Sequence, residues 1–473
     1  MRIPTIGLEI HAELKTTTKM FCACPNNPSE KRPNTNVCPI CLAHPGVLPV
    51  ANRVAIESVI RTGLALHGTV ALDSHFDRKS YFYPDLPKGY QISQYEKPLI
   101  TGGMLQNIRI RRIHLEEDTG RLLHELPDGK VSKKEATYVD YNRAGVPLME
   151  LVTEPDIKTA EEATAFAKEL QLILRYLGVS DADMEHGQMR VEANISLDMG
   201  TKVEVKNINS FKAVFGAIQY EIKRQSEVLD EKRKVAQETR GWNDKKGITE
   251  SQRSKESAHD YRYFPEPDIP PLDLRVFDLE HLKNAVPELP DAKRKRFAEE
   301  FGIHREQANL LVENKEVSEY FEKAASELKE KMPEADYILL VNYFTTDLWS
   351  LMNKKGVALG ELKILPEHLA HLVMFIRKGT LSSRLAKNLL QKMFETGEDP
   401  ETLMESSGVR VMQDVGELEK IVDEIIKKNP KPAEDYKKGN KNSVQFLIGQ
   451  AMARTKGQAD PEKLKEFFEK KLR

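Results

Sequence analysis

The chain has 473 residues, enough at roughly 100–200 residues per domain for about three domains and a sizeable buried core. Charged residues make up 30% and hydrophobic residues 40%, which excludes wholesale disorder, and no stretch approaches the ~18 apolar residues of a spanning helix. Lys plus Arg number 71 against 73 Asp plus Glu, a net charge of −2, so contact with a polyanion must come from a local patch. The opening run Met1-Arg-Ile-Pro-Thr-Ile-Gly-Leu-Glu-Ile-His11 lacks the apolar segment of a secretory signal, so a cytoplasmic location without membrane contact is expected.

Leu8, Ile10, Ala12 and Leu14 alternate with Glu9, His11 and Glu13, the pattern of a strand with three ionisable groups on one face. Such a face lies in water, the plainer reading of alternation alone, or holds a divalent metal. All four cysteines of the chain come next, as Cys22-Ala-Cys24 and, after 13 intervening residues, Cys38-Pro-Ile-Cys41. Two short chelating pairs joined by a loop suit a tetrahedral zinc closed by four thiolates, a site that staples a loop and leaves no position for chemistry. The stretch Asp77–Gln91 joins Arg78, Lys79 and Lys88 to four aromatic rings. That composition fits a phosphate clamp with a stacking surface, or an ordinary structured turn. No GxxxxGK[ST] loop and no GxGxxG after a strand is present.

Further along, Glu116-Glu117-Asp118 and Glu150, within Gly145–Pro155, offer the hard oxygen ligands that magnesium prefers. Thr159-Ala-Glu-Glu162 reads as a capping box opening a helix whose apolar face is Ala163, Phe166, Leu170, Ile173, Leu174 and Leu177 and which Gly178 ends. Met189–Ser196 and Lys202–Lys206 alternate with period two about the turn Asp198–Thr201, predicting a hairpin. Its polar face, with Arg190, Glu192, Asn194, Glu204 and Lys206, is solvated or floors a polar pocket, and the pattern alone favours solvent. The first 290 or so residues thus read as an α+β body. From Phe297 to about Glu405 the pattern is mostly helical, with Pro366 and Pro400 near helix starts. From Gly408 onward 15 Lys plus Arg face 11 Asp plus Glu, so the tail is basic.

The strings GLEIHAELKT, NTNVCPICLAHPGVLPV, FDRKSYFYPDLPKGYQISQYE, HLEEDTGR, VDYNRAGVPLMELVTEPD, VEVKNINSF and DYRYFPEPDIPPL closely resemble the B subunit of the tRNA-dependent amidotransferase. The resemblance runs through most of residues 3–275 and, more loosely, to the run Asn442–Met452. It implies a mixed-sheet, cradle-like catalytic domain with a zinc-stapled loop over residues 1–292, an all-helical domain over 293–407 and a small helical tRNA-binding tail over 408–473. The implied reaction is ATP-dependent phosphorylation of the side-chain carboxylate of glutamate on tRNA(Gln) or aspartate on tRNA(Asn), followed by attack of ammonia. Ammonia comes from glutamine in a partner amidase, the A subunit, with a small C subunit completing a heterotrimer and the non-discriminating aminoacyl-tRNA synthetase as a further partner. Carried over residue by residue, the catalytic magnesium site falls on His11, Glu117 and Glu150 with Glu9 beside them, Glu116 and Asp118 being weaker candidates. Arg78, Lys79, Lys88, Arg190, Asn194 and Lys206 are the candidates for phosphate or acceptor-end contacts. Cys22, Cys24, Cys38 and Cys41 are the zinc ligands, an architectural feature since some members of the family lack them. In the tail Lys437, Lys438, Lys441, Arg454 and Lys456 bracket the apolar run Val444–Met452 and face tRNA phosphates. The alternative is a non-catalytic tRNA-binding scaffold of the same complex, which would need no carboxylate cluster around His11.

Overall fold

The computed structural model describes residues 2–123, 137–254, 261–407, 415–438, 440, 442–455, 459 and 461–472. The chain divides into two compact units, Met1–Pro290 and Asp291–Arg473. The first is α+β and the second helical. Among the described residues no helix is long and apolar enough to cross a membrane.

A ten-stranded mixed sheet organises the first unit. Its principal strands are β1 (Pro4–Glu13), β2 (Ile108–Glu117), β3 (Pro147–Thr153), β4 (Met189–Leu197), β5 (Val203–Ile208), β6 (Glu238–Asn243) and β7 (Ile248–Ser254), in the spatial order β7-β6-β5-β4-β1-β3-β2. Short two-residue strands extend the β2 edge. Pairings along this path are antiparallel except that of β5 with β6. β1 is therefore central, and both of its neighbours come from far downstream in the chain.

One face of this sheet is apolar and fully covered. Leu8, Ile10 and Ala12 of β1, Ile113 and Leu115 of β2, Met149 and Leu151 of β3, and Val191, Ala193 and Ile195 of β4 are all buried in one core. Helices α1 (Arg53–Ala65), α2 (Ala160–Leu177) and α3 (Phe211–Asp230) contribute to the same core through Val59, Ile60, Phe166, Leu170, Ile173, Val214 and Ile218. Period-two alternation then forces the intervening residues of each strand onto the opposite face.

The helix expected after Thr159 is α2, and its caps account for its length. Thr159 Oγ1 accepts from the Glu162 amide at 3.1 Å, and Gly178 closes the helix in the left-handed region at φ +68°. The Glu162 carboxylate accepts from the Lys158 amide at 2.8 Å, one residue earlier than a capping box requires. The hairpin expected after it is β4–β5, turned by Asp198 and Met199 at positive φ. In the second unit, α4 (Pro290–Phe301) and α5 (Lys315–Lys331) pack together through the ring cluster Phe297, Phe301 and Phe321. Toward the end of the chain, Leu418, Val422, Leu447, Ala451, Leu464 and Phe468 form a separate small core.

Candidate active site on the polar face of the sheet

Strand register assembles the site. On neighbouring strands His11 stands opposite Glu150, Glu150 opposite His114, and His11 opposite Arg190, while Glu9 stands opposite Glu192. Cross-strand partners share a face, so residues more than a hundred positions apart meet as a single row. His11 Nε2 lies 3.3 Å from Glu150 Oε2 and 3.5 Å from Glu116 Oε1. His11, Glu116 and Glu150 each offer a ligand atom within 4.8 Å of the others, and so do Glu9, Glu192 and Glu204. One imidazole nitrogen with two carboxylate oxygens is a donor set fit for a hard divalent cation.

These groups line a cavity of about 450 Å³ together with Lys79, Arg190, Lys206 and the rings Tyr81, Tyr95, Tyr261 and Tyr263. Burial opposes protonation of His11, but the hydrogen bond and charge of Glu150 outweigh it and push the imidazole up to about 9. Burial likewise opposes ionisation of Glu150, and the neighbouring His114 and His11 overcome it, holding this carboxyl well below its usual range. Glu9 moves the other way, raised by burial and then by Glu150, Glu192 and Glu204. Asn194 donates to Glu9 Oε1 at 2.7 Å. Lys206 donates to Glu192 at 2.8 Å and lies 3.7 Å from Glu204, and despite burial its ammonium is strengthened by both carboxylates. The Lys79 ammonium, held against the Tyr261 ring at 5.2 Å, is raised by Glu116 and Glu150 against its own burial. Arg190 Nη2 reaches Asp118 at 2.6 Å and Arg143 Nε reaches the same oxygen at 2.7 Å, so Asp118 stays ionised although buried.

Several expected residues lie elsewhere. Glu117 is not with His11 and Glu150: it follows Glu116 on β2, so its side chain emerges on the other face, where it pairs with Lys88 and accepts from the Ile92 amide at 3.0 Å. Glu116 occupies the place expected of Glu117. Lys88 accordingly lines a separate cavity of about 220 Å³ with Glu117, Cys22 and Cys41 and is absent from the main one. Arg78 is no phosphate clamp either, because Glu266 engages it in two parallel bonds at 2.6 and 2.8 Å and Asp268 adds a third at 3.0 Å. The polar hairpin face, for which solvent was the plainer expectation, is largely withdrawn from water: Asn194 and Glu204 are buried, and Arg190, Glu192, Glu204 and Lys206 line the cavity. The reading from sequence missed His114 and Arg112 altogether, although Arg112, His114 and Glu116 alternate with Ile113 and Leu115 as plainly as the residues of β1 do.

The four cysteine sulfurs also converge within 4.8 Å of one another, and Cys38 and Cys41 Sγ are 3.9 Å apart. A tetrahedron with ~2.3 Å metal–sulfur bonds has edges of roughly 3.8 Å, so the four thiols fit a zinc ion. Hydrogen bonding from Cys22 above all, with the Cys38 amide and the Lys19 ammonium, brings Cys41 down to about 5, the ionised state a ligand needs. Lys437, Lys438 and Arg454 are exposed, with Lys438 3.8 Å from Glu434 and Arg454 3.9 Å from Glu424. Lys441 and Lys456 lie outside the described residues.

Residues 4–278 match the family model described as the GatB/GatE catalytic domain, and residues 319–472 match the GatB domain. A protein of Caldanaerobacter subterraneus, named as the B subunit of an aspartyl/glutamyl-tRNA(Asn/Gln) amidotransferase, is 45% identical, with 99% of this chain and 98% of the relative covered. The chain belongs to the family of amidotransferase B subunits. Relatives with the same name in Rippkaea orientalis and Carboxydothermus hydrogenoformans are each 44% identical over 99% of this chain, covering 97% and 98% of their own lengths. In this B-subunit chain the catalytic-domain match takes in all seven principal strands and every residue of the polar cavity.

Proposed function

We propose that this chain activates and amidates the amino acid carried by a mischarged tRNA. The side-chain carboxylate of glutamate on tRNA(Gln), or of aspartate on tRNA(Asn), attacks the γ-phosphorus of ATP and ADP departs. Ammonia then attacks the acyl phosphate and phosphate leaves, giving the amide. The observation that carries this reading is the convergence of His11, Glu116 and Glu150 in a cavity also lined by Lys79, Arg190 and Lys206. Magnesium bound by His11, Glu116 and Glu150, with Glu9 near enough for a water-mediated contact, would neutralise charge on the transferring phosphoryl group. Lys79, Arg190 and Lys206 supply fixed positive charge to phosphate oxygens, and the tyrosine rings wall the cavity against bulk water that would hydrolyse an acyl phosphate.

Ammonia requires a partner, because the chain has no recognisable amidase nucleophile, and the naming of the relatives as one component of a complex supports assembly with an amidase A subunit and a small C subunit. Cys22, Cys24, Cys38 and Cys41 hold structural zinc. The second unit comprises a helical domain, 293–407, and a tail, 408–473, where Lys437, Lys438 and Arg454, with Lys441 and Lys456, meet tRNA phosphates. A cytoplasmic site of action beside the non-discriminating synthetase follows from the substrate.

The test is Gln-tRNA formation by the chain co-purified with its A and C partners and given ATP, Mg²⁺, glutamine and Glu-tRNA(Gln). Glu150→Ala is expected to lower amide formation by about 100-fold or more while glutamine hydrolysis and tRNA binding persist. Wild-type amide formation in that variant would leave only the scaffold role.

A further inference from the structure

His114 belongs to no ligand set, yet its placement is as constrained as that of His11. β1, β3 and β2 bring His11, Glu150 and His114 into one row with Glu150 in the middle. Both imidazole Nε2 atoms lie 3.3 Å from the same oxygen, Glu150 Oε2. The two histidines differ in what else they meet. His11 Nε2 also approaches Glu116 and belongs to the group of converging ligand atoms, whereas His114 does not. His114 is 2% exposed, and its Nδ1 has no hydrogen-bond partner among the described residues. A buried imidazole with no acceptor at Nδ1 keeps its proton on Nε2, and Glu150 is the acceptor waiting there.

We infer that His114 is a positioning residue for the cation-binding carboxylate of Glu150, donating from Nε2 to Oε2 and fixing the rotamer in which that carboxylate faces His11 and Glu116. This rests on the divalent-cation reading of the site. To ligate a cation, His11 must offer the Nε2 lone pair and so ceases to donate to Glu150. A carboxylate oxygen has a second lone pair, so Oε2 accepts from His114 while serving the cation. The other oxygen, Oε1, has the Arg112 guanidinium 3.8 Å away, too far to fix the carboxylate by itself. Outer-shell donors of this kind set ligand orientation and basicity.

The test is a titration of the full-length chain with Mn²⁺ as the probe, following free Mn²⁺ by electron paramagnetic resonance, with Mg²⁺ as competitor. Glu150→Ala abolishes the Mg²⁺-sensitive site. His114→Leu, which keeps bulk but removes the donor, weakens Mn²⁺ binding by about 10- to 100-fold. His114→Gln, whose amide N–H reaches nearly the position of Nε2, restores most of that loss. In the assembled complex His114→Leu raises the Mg²⁺ concentration for half-maximal amide formation more than it lowers kcat at saturating Mg²⁺. If His114→Leu binds Mn²⁺ as wild type does while Glu150→Ala does not, the positioning role is wrong and the cation site stands. Equal losses in the Leu and Gln variants also overturn it, since ring shape rather than the donor would then matter. If Glu150→Ala still binds Mn²⁺ normally, the cation reading itself fails.

Discussion

Glu116 and Glu117 are adjacent in the chain and face opposite sides of β2, one toward His11 and the other toward Lys88. Glu116→Gln is therefore expected to lose Mg²⁺-sensitive Mn²⁺ binding, and Glu117→Leu to retain it, in the same titration. Glu117→Leu leaves the nearly buried Lys88 ammonium without its partner, and loss of one member of such a pair costs about 3–5 kcal/mol, to be read from urea denaturation. The sequence made half of this legible. Alternation along β1 placed Glu9 and His11 on one face, and the same rule applied to β2 selects Glu116 over Glu117. The resemblance, carried over by position in a run of three acids, did not separate them. Arg78 was illegible for another reason. Its partner Glu266 is 188 residues away, and nothing in a local pattern distinguishes an arginine aimed at phosphate from one already bound to a carboxylate.

At the scale of elements, α1 lies so close to the sheet edge that a methyl group at Gly63 would come within 2.4 Å of Ile100. Gly63→Ala should gain up to ~1 kcal/mol of helix propensity and lose about 1–3 kcal/mol to overpacking, a net destabilisation visible in thermal melts. Adding Ile100→Val, which removes the atom nearest the new methyl, should recover part of that loss. In the second unit Glu322 of α5 accepts from Lys293 at 3.1 Å and Arg296 at 2.5 Å, both on α4. These cations overcome burial and hold the Glu322 carboxyl below its ordinary value. A depressed carboxyl stabilises the fold above its unfolded pKa, and that contribution disappears as pH falls through the lower folded value. Glu322→Gln should therefore flatten the acid limb of stability below about pH 4.5 and leave its neutral plateau lower. Helix α2 and the β4–β5 hairpin were both legible, because caps and period-two runs are local. The environment of the hairpin's polar face was not, since it depends on β1 standing beside it.

On the scale of the molecule, the four-cysteine loop is tied to the catalytic sheet by backbone bonds from Lys19 to Cys24 and from Met20 to Gly145, at 3.0 and 2.7 Å. Chelation of zinc should lower the melting temperature of the first unit and spare that of the second, resolved by calorimetry. Cobalt substitution should give the absorption bands of a tetrahedral thiolate site. The central position of β1 has a consequence for how the protein is made. β1 ends at Glu13, while its neighbours β3 and β4 begin at Pro147 and Met189. At roughly 5–20 residues per second of synthesis, β1 waits about 7–27 s after its own emergence before the first of them is translated. Throughout that interval a ten-residue strand carrying Ile6, Leu8 and Ile10 has both hydrogen-bonding edges open on the ribosome. The nascent chain is thus a client for chaperones that bind extended apolar segments, and codon changes that slow translation between residues 14 and 150 should lower soluble yield without altering the mature protein.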